Sequence, residues 1–156
     1  MRRKQTTKRE VNPDPKYNDE KLAKFINNIM KKGKKSVAQR IVYNTLEIIK
    51  SKTKTEKPLE IFNKAIENTS PLLEVKTRRI GGAHYQVPYE VRGGRQEILA
   101  MRWLIETAKK KKGKSMAEKL AQELIEASKN EGEAIRKKQT IHRMAEANKA
   151  FAHFAR

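Results

Sequence analysis

The sequence contains no cysteine, so a disulfide framework, a thiolate nucleophile and a zinc–thiolate site are all excluded. Aromatic side chains make up only 6% of it, with a single tryptophan, so any core must rely on Leu, Ile, Val, Ala and Met. No apolar run approaches the ~18–20 residues of a membrane-spanning helix. The charged start Met1-Arg2-Arg3-Lys4 is followed by no apolar segment of the secretory kind. A soluble, intracellular protein without a membrane partner is therefore expected. Histidine is scarce as well: His84, His142 and His153 stand far apart, without the spacing of a metal site. Gly113-Lys114-Ser115 ends like a nucleotide-binding loop, but Ala108 occupies the place of the first glycine and the segment follows a helical pattern rather than a strand. Gly81-Gly82 and Gly93-Gly94 make no dinucleotide fingerprint, and no Ser/His/acid grouping emerges. Neither an enzyme, a metal, a cofactor nor a small-molecule substrate is expected.

Acidic residues are in short supply too. Only 18 Asp and Glu oppose 37 Lys and Arg, leaving a formal charge of +19 on 156 residues. Such an excess repels itself in a compact chain and attracts polyanions. The length suits one domain with a modest core.

Residues 1–16 read as a basic arm, with Arg2, Arg3, Lys4, Lys8, Arg9 and Lys16 beside Pro13 and Pro15. They hold too little apolar surface to offset the entropy of ordering and are expected to be disordered until bound. A helical domain is expected over 17–156. Leu22, Phe25, Ile26, Ile29 and Met30 mark one helical face, stopped at Gly33. Ser36 and Gln39 read as a capping box before a second helix with Ala38, Ile41, Val42, Thr45, Ile48 and Ile49 inward. Pro58 suits the first position of a third, with Leu59, Phe62, Ala65, Ile66 and Thr69. Two β-rich runs flanking Gly81-Gly82 predict a hairpin at about 73–89. Neither face of it is cleanly apolar, so it reads as an arm that needs a partner. A helix from Ile98 to Lys112 is apolar nearly all round and is the expected centre of the core. Its last turn carries Lys109 and Lys110, which suit a helix C-terminus. Ser115 and Glu118 form a second capping box, and an Ala-rich last helix should run to about Phe154. The expected fold is all-α: a single bundle of about six helices with one protruding β-hairpin and a disordered basic arm.

Lysines crowd two inter-helix turns, Lys31-Lys32-Gly33-Lys34-Lys35-Ser36 and Lys111-Lys112-Gly113-Lys114-Ser115. Cations beside helix N-termini favour phosphate. In and after the hairpin, Lys76, Arg78, Arg79 and Arg92 interleave with His84 and Tyr85, a mixture that suits RNA bases and sugar–phosphate edges. Arg102 lies among Ile98, Met101 and Ile105, either in a buried ion pair or at the inner end of an RNA groove. A DNA-binding helix-turn-helix protein is the alternative, opposed by charge spread over arm, turns and hairpin rather than one recognition helix. An RNA-modifying enzyme would need alternating strands and helices, which are missing.

Five stretches, DPKYNDEKLAKFINNIMKKGKKS (14–36), VKTRRIGGAHYQVPYEVR (75–92), AMRWLIETAKKK (100–111), KSMAEKLAQEL (114–124) and HRMAEANKAFAHF (142–154), resemble the bacterial-type small-subunit ribosomal protein seven family, in order and almost end to end. The resemblance implies a helical domain with one hairpin that binds the 3′ major domain of 16S-type rRNA, nucleates assembly of the head and lies near the exit-site tRNA. It implies rRNA contacts at Lys34, Lys35, Lys76, Arg78, Arg79, Arg92, Arg95 and Arg102, with Lys114 and Met116. To these it adds the basic arm, Lys31, Lys32, Lys109, Lys110, His142 and Arg143. On the tRNA side it places Gly81, Gly82, Ala83, His84, Tyr85, Lys149, His153 and Arg156. The ninth, eleventh and thirteenth proteins of the small subunit are the implied protein neighbours, in a cytoplasmic or an organelle-encoded ribosome. After Val91-Arg92 the family often has Pro-x-Arg-Arg, whereas this sequence has Gly93-Gly94-Arg95-Gln96, which weakens the expectation of a contact there. It also ends at Arg156, without the extension of longer members.

Overall fold

A computed structural model describes residues 11–155. Arg2, Arg3, Lys4, Lys8, Arg9 and Arg156 lie outside the described residues, as does most of the segment read as an arm. The chain divides into two compact units between Arg40 and Ile41.

In the first unit, the end of the arm segment forms a turn. The buried Asp14 carboxylate accepts the N–H groups of Lys16 (3.1 Å) and Tyr17 (3.2 Å). Helix α1 (Glu20–Ile29) opens on Asp19, whose side chain accepts the Leu22 N–H at 2.7 Å, and Glu20 complements the N-terminal dipole. Leu22, Phe25, Ile26 and Ile29 are buried, as their spacing predicts. The helix stops earlier than Gly33: Met30 is already extended, and Lys32 turns the chain at φ +51°. Helix α2 (Lys35–Thr53) begins with the Lys34 carbonyl accepting the Ala38 N–H, so Ser36 lies inside the first turn and is not the cap its sequence context suggests.

In the second unit, α2 buries Val42, Thr45, Leu46 and Ile49, while Ile41 and Ile48 are only half-buried. The inward stripe is thus rotated toward Leu46. Pro58 opens α3 (Pro58–Thr69), which packs Phe62, Ala65 and Ile66 against α4 (Gly94–Lys110) and α5 (Met116–Ser128). Burying a side chain such as Phe62 contributes about 1.5–3 kcal/mol. Helix α4 starts four residues before Ile98 and is not apolar all round: it buries Ala100, Met101, Trp103, Leu104, Ile105, Thr107 and Ala108 but exposes Arg102 and Glu106. Arg102 is therefore in no buried ion pair. Ser115 caps α5 as expected, accepting the Glu118 N–H at 3.3 Å and donating to its carboxylate at 2.7 Å.

Helix α6 (Glu133–Ala147) has no side-chain cap of its own; the fully buried Glu123 of α5 accepts its Ala134 N–H at 2.9 Å. It ends at Ala147 rather than near Phe154, with Asn148 as the C-cap, and a 3₁₀ helix (Lys149–Ala155) follows. Strands β1 (Leu73–Ile80) and β2 (Ala83–Glu90) pair antiparallel across Gly81-Gly82. Both glycines have positive φ (+55° and +91°), as a type I′ turn demands. A lone two-stranded hairpin is marginal in water. This one lies on α6, and β2 packs on the 3₁₀ helix, so part of the partner it needs is its own C-terminal segment. The architecture is all-α with one two-stranded hairpin.

Candidate nucleic-acid interface

Strand alternation sorts the hairpin's cations. Lys76 and Arg78 share a face with Tyr85 and Tyr89; Arg79 shares the other with His84, its cross-strand partner. On the first face Tyr85 meets Phe151 and Phe154, with ring centroids 5.2 and 5.5 Å away, and an Arg78 guanidinium N–H donates to the Phe154 carbonyl. On the second face Arg79 and His84 are exposed, and Arg79 pairs with no acid among the described residues. Ala83 and the exposed ring of His153, 4.0 Å from Phe154, complete the tip.

At the hairpin's base the cations are anchored. Arg95, near the start of α4, grips Glu74 with both fork nitrogens (Nε at 3.0 and 3.1 Å, Nη2 at 2.6 Å), and Lys76 Nζ lies 2.7 Å from the same carboxylate. The Arg95 hydrogen bonds hold the Glu74 carboxyl below its ordinary pKa, with Lys76 helping and burial opposing. Arg92 pairs with Glu90 at 2.7 Å. Along α4, Arg95, Arg102 and Lys109 recur every seven residues, close to one line on the helix, at about 10.5 Å per step. All three are exposed, and Arg102 and Lys109 meet no acid among the described residues. Lys110 reaches Glu106 at 3.6 Å.

The two lysine-rich turns are not equivalent. Lys31, Lys32, Lys34 and Lys35, all in the first unit, are exposed. In the other turn Lys114 is exposed and Met116 half-buried, but Lys111 points inward to Glu123 (2.7 Å) and Glu126 (3.0 Å). Burial pulls the Lys111 pKa down, and its bonds to the two carboxylates outweigh that and leave it raised. On α6, Arg143 is exposed, whereas His142 is half-buried and its Nε2 accepts the Leu72 N–H at 3.1 Å. Burial, then the charge of Lys138, lowers the His142 pKa, so this ring serves as a neutral acceptor. Lys149 is exposed. Among the described residues no group of three or more His, Asp or Glu is placed to hold a metal, and no helix is long and apolar enough to cross a membrane.

Residues 1–149 match the family model described as ribosomal protein S7p/S5e. The chain is 57% identical over 153 residues to the small ribosomal subunit protein uS7 of Marinobacter nauticus, covering 98% of this chain and 97% of that protein. It is 54% identical over 154 residues to that of Thermotoga maritima, with 99% of each chain covered. The chain belongs to the ribosomal protein S7p/S5e family. As a member of that family it is a structural ribosomal component rather than an enzyme.

Three features of this S7p/S5e chain had no signal in its sequence. Glu74 gathers two cations, Glu123 caps a helix eleven residues ahead, and Asn68 of α3 donates to the last carbonyls of α5 (Ala127 and Ser128, 2.9 and 3.0 Å). All are polar residues in helical or strand patterns, and only tertiary contact gives them a partner. The Gly93-Gly94 departure starts α4 with Gly93 as N-cap at φ +54°, and Arg95 turns to Glu74.

Proposed function

We propose that this chain stands in the small ribosomal subunit as a primary binder of the 3′ major domain of its rRNA, nucleating assembly of the head. The observation that carries this reading is the set of exposed cations on separate elements: Arg79 at the hairpin tip, Arg102 and Lys109 along α4, and Lys114 at the turn before α5. A recognition helix would concentrate them; a folded RNA, with phosphates facing several ways, accounts for their spread. The names of the relatives support the small subunit as the setting, in the cytoplasm for a bacterial chain. Arg143 extends the same contact, and the exposed basic turn Lys31–Lys35 supplies phosphate contacts of the first unit's own. Hairpin tip and 3₁₀ helix, with Gly81, Gly82, His84, Tyr85, Lys149 and His153, face the exit-site tRNA, and the ninth, eleventh and thirteenth small-subunit proteins are neighbours.

Binding acts through release of counterions from phosphates, with a slope of log K against log salt of roughly −0.7 to −0.9 per contact. The double variant Arg78→Ala/Arg79→Ala should weaken binding to a 3′-domain rRNA fragment about tenfold or more, the scale of a charge-assisted contact, with helical circular dichroism unchanged. Because Arg78 also holds the Phe154 carbonyl, Arg79→Ala alone isolates the RNA contact. Unchanged affinity in both variants would remove the hairpin from the interface.

A further inference from the structure

A carboxylate is unexpected on a face that meets phosphates, yet Glu74 lies at the hairpin's base with only 9% of its surface exposed. An acid kept for solubility would stand in water. This one is enclosed by two cations from different elements, Arg95 of α4 and Lys76 of β1, and each of its oxygens is engaged by both or one of them. The Lys76 ammonium is steadied from another side by the Tyr89 ring, 5.1 Å from its centroid. The cations stay half in solvent, their side chains 49% and 52% exposed. Arg95 Nη1, with two N–H donors, has no partner among the described residues. The trio carries one net positive charge and presents unused donors at a fixed separation.

We propose that Glu74 is a positioning residue for RNA: it locks Arg95 and Lys76 into a preformed two-cation clamp for backbone phosphate at the junction of hairpin and α4. This rests on the rRNA-binding reading above. Long cationic side chains lose rotamer freedom when they close on a phosphate. Glu74 imposes that loss in the free protein, so less remains to be lost on binding. The carboxylate also ties the hairpin to α4, which fixes the angle at which β1 meets the RNA.

Charge alone and positioning make opposite forecasts for Glu74→Gln. Removing an acid raises net charge and by itself tightens binding to a polyanion; removing a positioning residue weakens it. Affinity for a 3′-domain rRNA fragment is measured across a salt titration for the unaltered protein, Glu74→Gln, Arg95→Lys, Arg95→Ala and Glu74→Gln/Arg95→Ala. Glu74→Gln should bind about tenfold more weakly, the size of one charge-assisted hydrogen bond, with a shallower salt slope. Arg95→Lys, which keeps the charge at an exposed position but loses the fork, should weaken binding too. In the Arg95→Ala background, Glu74→Gln should cost less than it does in the unaltered protein, because only Lys76 is then left to position. Equal or tighter binding by Glu74→Gln, or an unchanged salt slope, overturns the clamp while the unaltered protein still binds. If Glu74→Gln does not fold, Arg95→Lys decides alone, and affinity equal to the unaltered protein overturns the clamp. Failure of the unaltered protein to bind overturns the rRNA reading itself and the clamp with it.

Discussion

A β-carbon added to Gly132 would lie 3.1 Å from the Glu126 side chain and 3.3 Å from the Glu123 carboxylate, at a backbone φ of +95°. The glycine lets the chain turn closely over the Lys111–Glu123–Glu126 cluster and start α6 on a borrowed cap. Gly132→Ala should therefore lower stability by about 2 kcal/mol, part left-handed strain and part displaced carboxylates. A urea unfolding curve with a lower midpoint and an unchanged slope would show it. His142 makes a different kind of forecast. Its pKa is lowered from 6.5 by burial and by Lys138, so the unfolded chain takes up the proton first. The stability it contributes is full above about 6.5 and is lost as pH falls through the depressed folded value. Between about pH 7.5 and pH 5.5 the melting temperature should drop, and the drop should shrink in His142→Gln, whose amide oxygen can accept the Leu72 N–H without titrating. An equal drop in both proteins would place the titration elsewhere.

The hairpin and the 3₁₀ helix depend on each other. Tyr85, Phe151 and Phe154 form one ring cluster, and Arg78 closes it onto the backbone at Phe154. Tyr85→Ala should free the C-terminal segment by about 1–2 kcal/mol, since ring pairs add roughly 0.5–1.5 kcal/mol beyond their area. Trypsin should then cut after Lys149 sooner while the helical core stays resistant; unaltered cleavage would mean the rings do not hold the segment. Helix α5 is capped from within its own sequence, and Ser115→Ala should cost about 1 kcal/mol, read from the thermal midpoint. Helix α6 has no such local device. Its N-terminus is held by Glu123, and its Lys138 donates to the Asn68 carbonyl of α3 at 2.7 Å, so both contacts depend on the packed state.

At the scale of the molecule, a charge of +19 acts in opposite directions on folding and on binding. Salt screens the self-repulsion of the free protein and should raise its melting temperature. The same salt should loosen the RNA complex steeply. Saturating rRNA fragment at low salt, about a hundredfold above Kd, should stabilise the fold by about 2.7 kcal/mol. One pair of melting series, with and without RNA across a salt range, tests both signs together. RNA binding that holds equally well at high salt would contradict the electrostatic account.

Local pattern and composition were enough to determine most elements, the two-glycine turn, the Ser115 cap, the Pro58 start and the polyanion as partner. Each depends on nearest neighbours or on total charge, and a chain carries both openly. Arg79, Lys114 and the lysines at 31–35 stood out in the sequence as candidate binding residues because they are cations in turns and at a hairpin tip, and the structure leaves all of them exposed. Only the tertiary structure decided which cations stay available. Lys111 and Lys114 look alike in the sequence, but Glu123 and Glu126 draw the first inward. Arg102 sits between apolar neighbours yet is exposed, because α4 buries the adjoining stripe. Glu74, Arg95 and Lys76 become one unit because the hairpin's return brings β1 to the start of α4. Pairing of charges across 20 residues or more follows from packing geometry, and no local preference encodes it.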